Sequence, residues 1–186
     1  MTLAITGGRF KGSVLRTPSG KELTRPTSGK VRQALFNILR DRIEDSDFLD
    51  LYAGSGSVGL EALSRGCRRV TLVESHPAAL RALEANCRLL LSRGAGAGSL
   101  EWIRNDSLKF CASASERGAR FEVVFADPPF SRDFTGLWER MKPLLTAGGA
   151  GVVQFPTRSP PDFIILASRL SSYGESSLAV FEAGHC

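Results

Sequence analysis

Four carboxylates stand where short apolar runs end: Asp50 after "DFL", Glu74 after "RVTLV", Asp106 after "LEWIRN" and Asp127 after "FEVVFA". Turns favour aspartate, so one such acid means little; four in succession beside a glycine loop indicate a binding face. That loop lies in "LDLYAGSGSVGLEA", where Gly54, Gly56 and Gly59 make a G-x-G-x-x-G arrangement. Glycines permit a tight turn and let backbone N–H groups approach a ligand unobstructed. Glu74 follows Gly54 by twenty residues, a position from which a carboxylate accepts hydrogen bonds from both hydroxyls of a ribose. The expectation is a nucleoside cofactor.

Two cofactor classes fit the loop. A dinucleotide would set its pyrophosphate at the helix amino terminus, where an acid just before the glycines repels it. Asp50 is such an acid, four residues before Gly54. S-adenosylmethionine has no phosphate and carries an ammonium and a sulfonium, so the same carboxylate attracts it. Asp50 tilts the loop toward a methyl donor, with a dinucleotide-dependent oxidoreductase as the competing reading.

The stretch "ADPPF" supplies a second surface. Neither Pro128 nor Pro129 has an N–H, so a stiff turn presents carbonyl oxygens and the Asp127 side chain as acceptors. Such a wall suits an exocyclic amine of a nucleobase. Holding both amine hydrogens on Asp127 and the Pro128 carbonyl rotates the nitrogen lone pair toward a methyl donor, and Phe130 offers a platform for the base. Asp127 is then an orienting acceptor and the proton's first destination, with no strong base required.

These residues need a scaffold that brings strand ends to one edge. From residue 47 onward, apolar runs at 47–53, 69–74, 100–106, 121–126 and 149–155 alternate with helical periods at 57–66, 77–90, 107–116 and 134–145. Repeated strand and helix units predict an α/β fold with a mostly parallel sheet covered on both faces. The tail differs: "DFIILASRL" and "SSLAVFEA" flank the turn-like "SSYGE", which predicts a hairpin and an antiparallel C-terminal edge. Residues 3–18 read as a small N-terminal β-hairpin. A helix over 28–43 follows, capped by Ser28, with Val31, Ala34, Leu35, Ile38 and Leu39 at helical spacing.

The chain has 186 residues, 42% of them apolar, and a net charge of +5. That is enough for one sizeable core with a small appendage, divided here as 1–43 and 44–186. The positive charge belongs to one end: residues 1–42 hold nine Lys or Arg against two acids, and the remainder fifteen against seventeen. A basic extension on a nearly neutral body suits a phosphate backbone. No run approaches the roughly 20 apolar residues of a membrane helix, and no signal pattern opens the chain, so a cytoplasmic protein is expected. Cys67, Cys87, Cys111 and Cys186 lack the short pairings of zinc or redox motifs and read as reduced, mostly buried thiols, with no metal site.

In this order and at these separations, "RPTSGKVRQALFNIL", "FLDLYAGSGSVGLEALSRG", "VTLVE" and "FADPPF" closely resemble the bacterial RsmD family of 16S ribosomal RNA guanine-N2 methyltransferases. The likeness covers nearly the whole chain. It implies a class I methyltransferase fold, Rossmann-like with a seven-stranded sheet, and S-adenosylmethionine as methyl donor, leaving S-adenosylhomocysteine. It implies as substrate one guanine of small-subunit ribosomal RNA or of its assembly intermediate, with no membrane and no obligate protein partner. By matching position, Asp50, Gly54, Ser55 and Gly56 would contact the methionine end, Glu74 the ribose and Asp106 the adenine amine. Asp127, Pro128, Pro129 and Phe130 would hold the guanine. Arg9, Lys11, Arg25, Lys30 and Arg32 would engage RNA, and Thr27 and Asn37 would line the mouth of the site. The chain departs from its relatives in "SHP" after Glu74, where an aspartate is commoner, and in Phe130, where tyrosine also occurs. The same chemistry on another RNA, on DNA adenine or on protein glutamine remains an alternative, as does an RNA-binding module without activity.

Overall fold

The computed structural model describes residues 3–18, 27–96, 99–129 and 134–184. Arg25, Phe130 and Cys186 lie outside the described residues. Strands β1 (Asp47–Asp50), β2 (Arg69–Glu74), β3 (Leu100–Arg104), β4 (Phe121–Ala126), β5 (Leu145–Pro156), β6 (Arg169–Tyr173) and β7 (Ser176–Glu182) form one sheet in the order β3-β2-β1-β4-β5-β7-β6. Strands β1 to β5 run parallel, and β7 runs antiparallel to β5 and to β6, as the tail pattern predicts. Sequence order reverses between β1 and β4. In a sheet of this kind the crevice beyond the carboxyl ends at that reversal is where ligands bind.

Helices α1 (Gly29–Ile38), α2 (Ser57–Ser64) and α3 (Pro77–Ser92) cover one face, and α4 (Ser107–Glu116) and α5 (Leu137–Met141) the other. Each buries the side its periodicity predicts. On α3, Leu83, Cys87 and Leu90 recur at helical spacing and are fully buried. Ile5, Phe10, Leu15, Val31 and Leu35 pack in the same cluster as Phe48, Val70 and Phe125 of the sheet. The N-terminal segment therefore completes the layer over this face. Its hairpin is held by an antiparallel bridge between Ala4 and Val14.

The direction of α1 matters for the site. Beyond its end, Arg42 donates to the Gly148 carbonyl at 2.5 Å and pairs with Glu182 at 2.9 Å, both at the edge where β5 begins and β7 ends. The helix thus descends from the carboxyl edge of the sheet to the opposite edge.

The helix expected over 28–43 ends at Ile38 and is followed by a 3-10 turn at Arg40–Arg42. Two further elements differ from the sequence reading. The helical period over 134–145 yields only α5, because Gly136 turns left-handed before it (φ 69°), and Lys142–Leu144, with Pro143, tighten into a 3-10 turn. "DFIIL" forms a 3-10 turn at Asp162–Leu166, with Ile165 and Leu166 exposed, while Ser171, Ser172 and Tyr173 are strand. A continuous run of four apolar residues, of which Phe163 and Ile164 pack against the core, mimics a strand in sequence.

Candidate active site

Asp50 closes β1 and is 1% exposed. Its Oδ2 accepts the Gly59 N–H at 3.2 Å, and its Oδ1 has no hydrogen-bond partner among the described residues. Burial pushes this carboxyl up to about 7; the Gly59 and Tyr52 backbones oppose the shift, and the charges of Asp127 and Glu74 add to it. A buried carboxyl oxygen with nothing to bind is costly, and a cation relieves it.

The glycine loop is shaped from both sides. A Cβ on Gly56 (φ 84°) would come within 2.5 Å of Leu83, and one on Gly59 would overlap Leu72. These two glycines seat the loop and α2 against the body. Gly54 faces open space, with nothing among the described residues within 4 Å of where a Cβ would stand. Its N–H donates to Glu74 Oε2 at 2.8 Å, and the other oxygen of Glu74 accepts the His76 N–H at 2.6 Å. The acid at the end of β2 is thereby fixed against the loop. Asp106 caps α4, its Oδ1 accepting from Leu108 and Lys109.

Asp127 stands on the neighbouring strand end. Asp50 pairs in register with Phe125, so Asp127, two residues on, continues the same face. Thr27 Oγ1 donates to its Oδ2 at 2.9 Å across 100 residues of sequence. Burial pushes the Asp127 carboxyl up to about 7, with the Thr27 hydroxyl pulling the other way. Two carboxylates of raised proton affinity thus flank the reversal between β1 and β4.

This set fits S-adenosylmethionine. An orphaned oxygen awaits a cation, an uncovered glycine backbone leaves room for a nucleoside, and a fixed carboxylate stands where a ribose would reach it. A pyrophosphate in the same loop would meet Asp50, which sets the dinucleotide reading aside.

A family model described as "Conserved hypothetical protein 95" matches residues 3–181. The chain is 38% identical over 147 residues to "Ribosomal RNA small subunit methyltransferase D" of Escherichia coli strain K12, spanning 79% of this chain and 68% of that one. The chain belongs to the RsmD family. Among solved structures, the Thermus "hypothetical protein TTHA0928" superposes with a TM-score of 0.82 at 35% identity, covering 96% of this chain and 98% of that one. An RNA methyltransferase from Salinibacter ruber, in complex with S-adenosyl-L-homocysteine, shares the fold with a TM-score of 0.63 at 17% identity, covering 87% and 95%. The sheet is that of the class I methyltransferases.

Within this RsmD-family framework, the expected RNA-contact residues separate. Lys30 is exposed on the first turn of α1, near Thr27 and the carboxyl edge. Arg32 is not a surface cation. It is 2% exposed and paired with the fully buried Glu61 at 3.1 Å, so it cannot meet a phosphate. Asn37 is exposed, but it lies eight residues down α1, about 12 Å along the axis and away from the site mouth. Arg9 and Lys11 are exposed in the hairpin turn, where the Arg9 N–H bonds the Ser64 carbonyl at the far end of α2. They stand at the edge opposite Asp127.

Sequence reasoning missed two residues. Asn86, 1% exposed on α3, donates to the Ser55 carbonyl at 2.8 Å and exchanges bonds with Arg16 at 2.7 and 3.0 Å, tying the glycine loop to the hairpin. Glu61, fully buried on α2, carries no mark in the sequence beyond its place in the helical period over 57–66. A polar residue on an otherwise buried helix face was the available signal for each. The thiols of Cys67, Cys87 and Cys111 are free, buried and pushed up to about 12 by that burial, outside any reactive range. Among the described residues, no helix is long and apolar enough to cross a membrane.

Proposed function

We propose that the chain transfers the methyl group of S-adenosylmethionine to the exocyclic N2 amine of a guanine in small-subunit ribosomal RNA. The observation that carries this reading is the pair Asp50 and Asp127 across the reversal of the sheet, one with an unpartnered oxygen and the other held by Thr27. The family and the name of its Escherichia coli relative support ribosomal RNA as the substrate.

When bound, S-adenosylmethionine supplies a methyl carbon made electrophilic by a sulfonium and leaves as the neutral thioether. Asp50 would attract the positive methionine end; Gly54, Ser55 and Gly56 would cradle it. Glu74 would hold the ribose and Asp106 the adenine. Asp127 and the Pro128 carbonyl would each accept one amine hydrogen of the guanine, turning the nitrogen lone pair toward the methyl carbon along the line of the breaking bond. Pro129 would keep the wall stiff, and Phe130 would stack on the base. Once nitrogen has become positive, Asp127 takes its proton, a task matched to a carboxyl near 7. Lys30 would meet phosphates beside the site, and Arg25, expected from the sequence to engage the same RNA, lies outside the described residues. Arg9 and Lys11, more than one helix length away, would meet a distant part of the RNA.

Labelled S-adenosylmethionine, offered with naked small-subunit RNA, a protein-bearing small-subunit particle, duplex DNA and a glutamine-bearing protein, tests the substrate. Label in the ribosomal RNA alone is expected. Label in DNA or protein would overturn the choice of substrate while keeping the amine chemistry.

A further inference from the structure

Beneath the site lies a buried polar network with no counterpart in the reaction as derived above. Glu61 is fully buried on α2, two residues after Gly59. Its Oε2 accepts from Arg32 Nε at 3.1 Å and from the Thr6 N–H at 3.3 Å. Its Oε1 accepts from Arg65 at 2.8 and 3.1 Å and from the Thr6 hydroxyl. Arg32 then spends its remaining arms on backbone: Nη1 donates to the Thr27 carbonyl at 2.8 Å and Nη2 to the Ala4 carbonyl at 2.6 Å. Thr27, 6% exposed, carries the hydroxyl that donates to Asp127.

The geometry points to Arg32 and Glu61 as positioning residues that orient Asp127 through Thr27, so that helix α2 sets the placement of both site carboxylates. Within α2 the Gly59 N–H reaches Asp50, and two residues on, Glu61 meets Arg32. The inference rests on the methyl-transfer reading for its purpose, though not for its geometry. In-line attack tolerates errors of about half an ångström, which a carboxylate on a loop does not meet unaided. A buried ion pair is a poor source of stability compared with a well-packed apolar pair. Its distinctive effect here is to fix the backbone at Thr27. That hydroxyl occupies Oδ2 of Asp127, fixing the turn of the carboxyl group, and it opposes the upward push of burial.

Among the described residues, the charged groups around Asp127 are few. Asp50 on β1 senses its charge, and Glu74 on β2 acts on Asp50; Arg32 and Glu61 neutralise each other beneath Thr27. Removing the Thr27 donor therefore moves the Asp127 titration upward, and loosening Thr27 through Arg32 moves it the same way without touching Asp127.

The test uses the whole chain with carbon-13 in its aspartate carboxyls, titrated without cofactor, alongside kcat against pH on the small-subunit particle. Thr27→Val is expected to raise the Asp127 midpoint, shift the acidic limb of kcat upward and lower kcat by roughly tenfold to a hundredfold, with KM for S-adenosylmethionine unchanged. Arg32→Lys keeps a cation for Glu61 but loses the fork to Thr27, and both readouts are expected to move in the same direction. Thr27→Ser restores the wild-type values. If Arg32→Lys lowers the melting temperature yet leaves the Asp127 titration where it was, the network is only structural and the inference is overturned. A wild-type chain inactive on every RNA would sink the reaction proposed above, while the titration would still decide the relay.

Discussion

Glu61 and Asp50 are both carboxylates with almost no exposure, both bonded through the same short helix, and they are treated in opposite ways. Glu61 is met on both oxygens by two arginines, a hydroxyl and a backbone N–H. Asp50 accepts the Gly59 N–H at 3.2 Å and, among the described residues, keeps a second oxygen with no hydrogen-bond partner. The first is what a scaffold does with a buried charge, which must be paired if it is to stay. The second is what a scaffold leaves for a ligand. Asp127, for which the described residues supply one hydroxyl donor, belongs with Asp50. The difference separates the residues that build the site from those that act in it, although all are acids in the same layer.

Substitutions should divide along that line. Asp127→Ala is expected to lower the transfer rate by on the order of 10²–10⁴ while the chain stays folded and still binds S-adenosylmethionine, as single-turnover kinetics and cofactor titration would report. Glu61→Gln leaves Arg32 buried without its counter-charge and should cost about 3–5 kcal/mol of stability in urea denaturation. If Glu61→Gln were harmless and Asp127→Ala unfolded the protein, the division would be wrong. Asp50→Asn should weaken S-adenosylmethionine binding by about tenfold to a hundredfold, a loss of one charge-assisted contact, without weakening the free protein.

The same contrast has a pH signature. Asp50 and Asp127 titrate near 7 when folded and near 3.8 in an open chain, so between these values the folded state holds protons that the unfolded state has released. Their contribution is full below about pH 4, is lost as pH rises to about 7 and is constant above. Asp50→Asn should therefore gain on the wild-type chain from pH 4 to 7, measured as the difference in urea midpoint without cofactor. Binding S-adenosylmethionine at pH 7 should also expel a proton, visible as a buffer-dependent heat in calorimetry. The smallest effect concerns RNA: Lys30→Ala should reduce the salt slope of RNA binding by about one charge, leaving the choice of base unaltered.

What the sequence made legible was local. The strand ends, the glycine loop and the Asp-Pro-Pro turn all rest on neighbours within a few residues, where apolar period and backbone chemistry decide the outcome. The antiparallel edge was readable because a turn separates β6 from β7 directly. What stayed hidden was decided by packing between distant segments. Nothing near Thr27 announces Asp127, 100 residues away, and Arg32 reads as one more cation until α1 lays it against Glu61. Charge counted along the chain placed the basic residues at one end of the sequence. It could not place Arg9 and Lys30 at opposite edges of the sheet, because the hairpin turns on the far end of α2 and α1 starts at the near edge.

The decisive questions are which atom receives the methyl group and whether Asp127 is needed to put it there. Small-subunit particles incubated with S-adenosylmethionine and either the wild-type chain or Asp127→Asn, then digested to nucleosides and resolved by mass spectrometry, give both answers at once. N2-methylguanosine with the wild-type chain, and almost none with Asp127→Asn, is the expected result. Methyl groups on a ring nitrogen or on adenine, or undiminished transfer by Asp127→Asn, would contradict it.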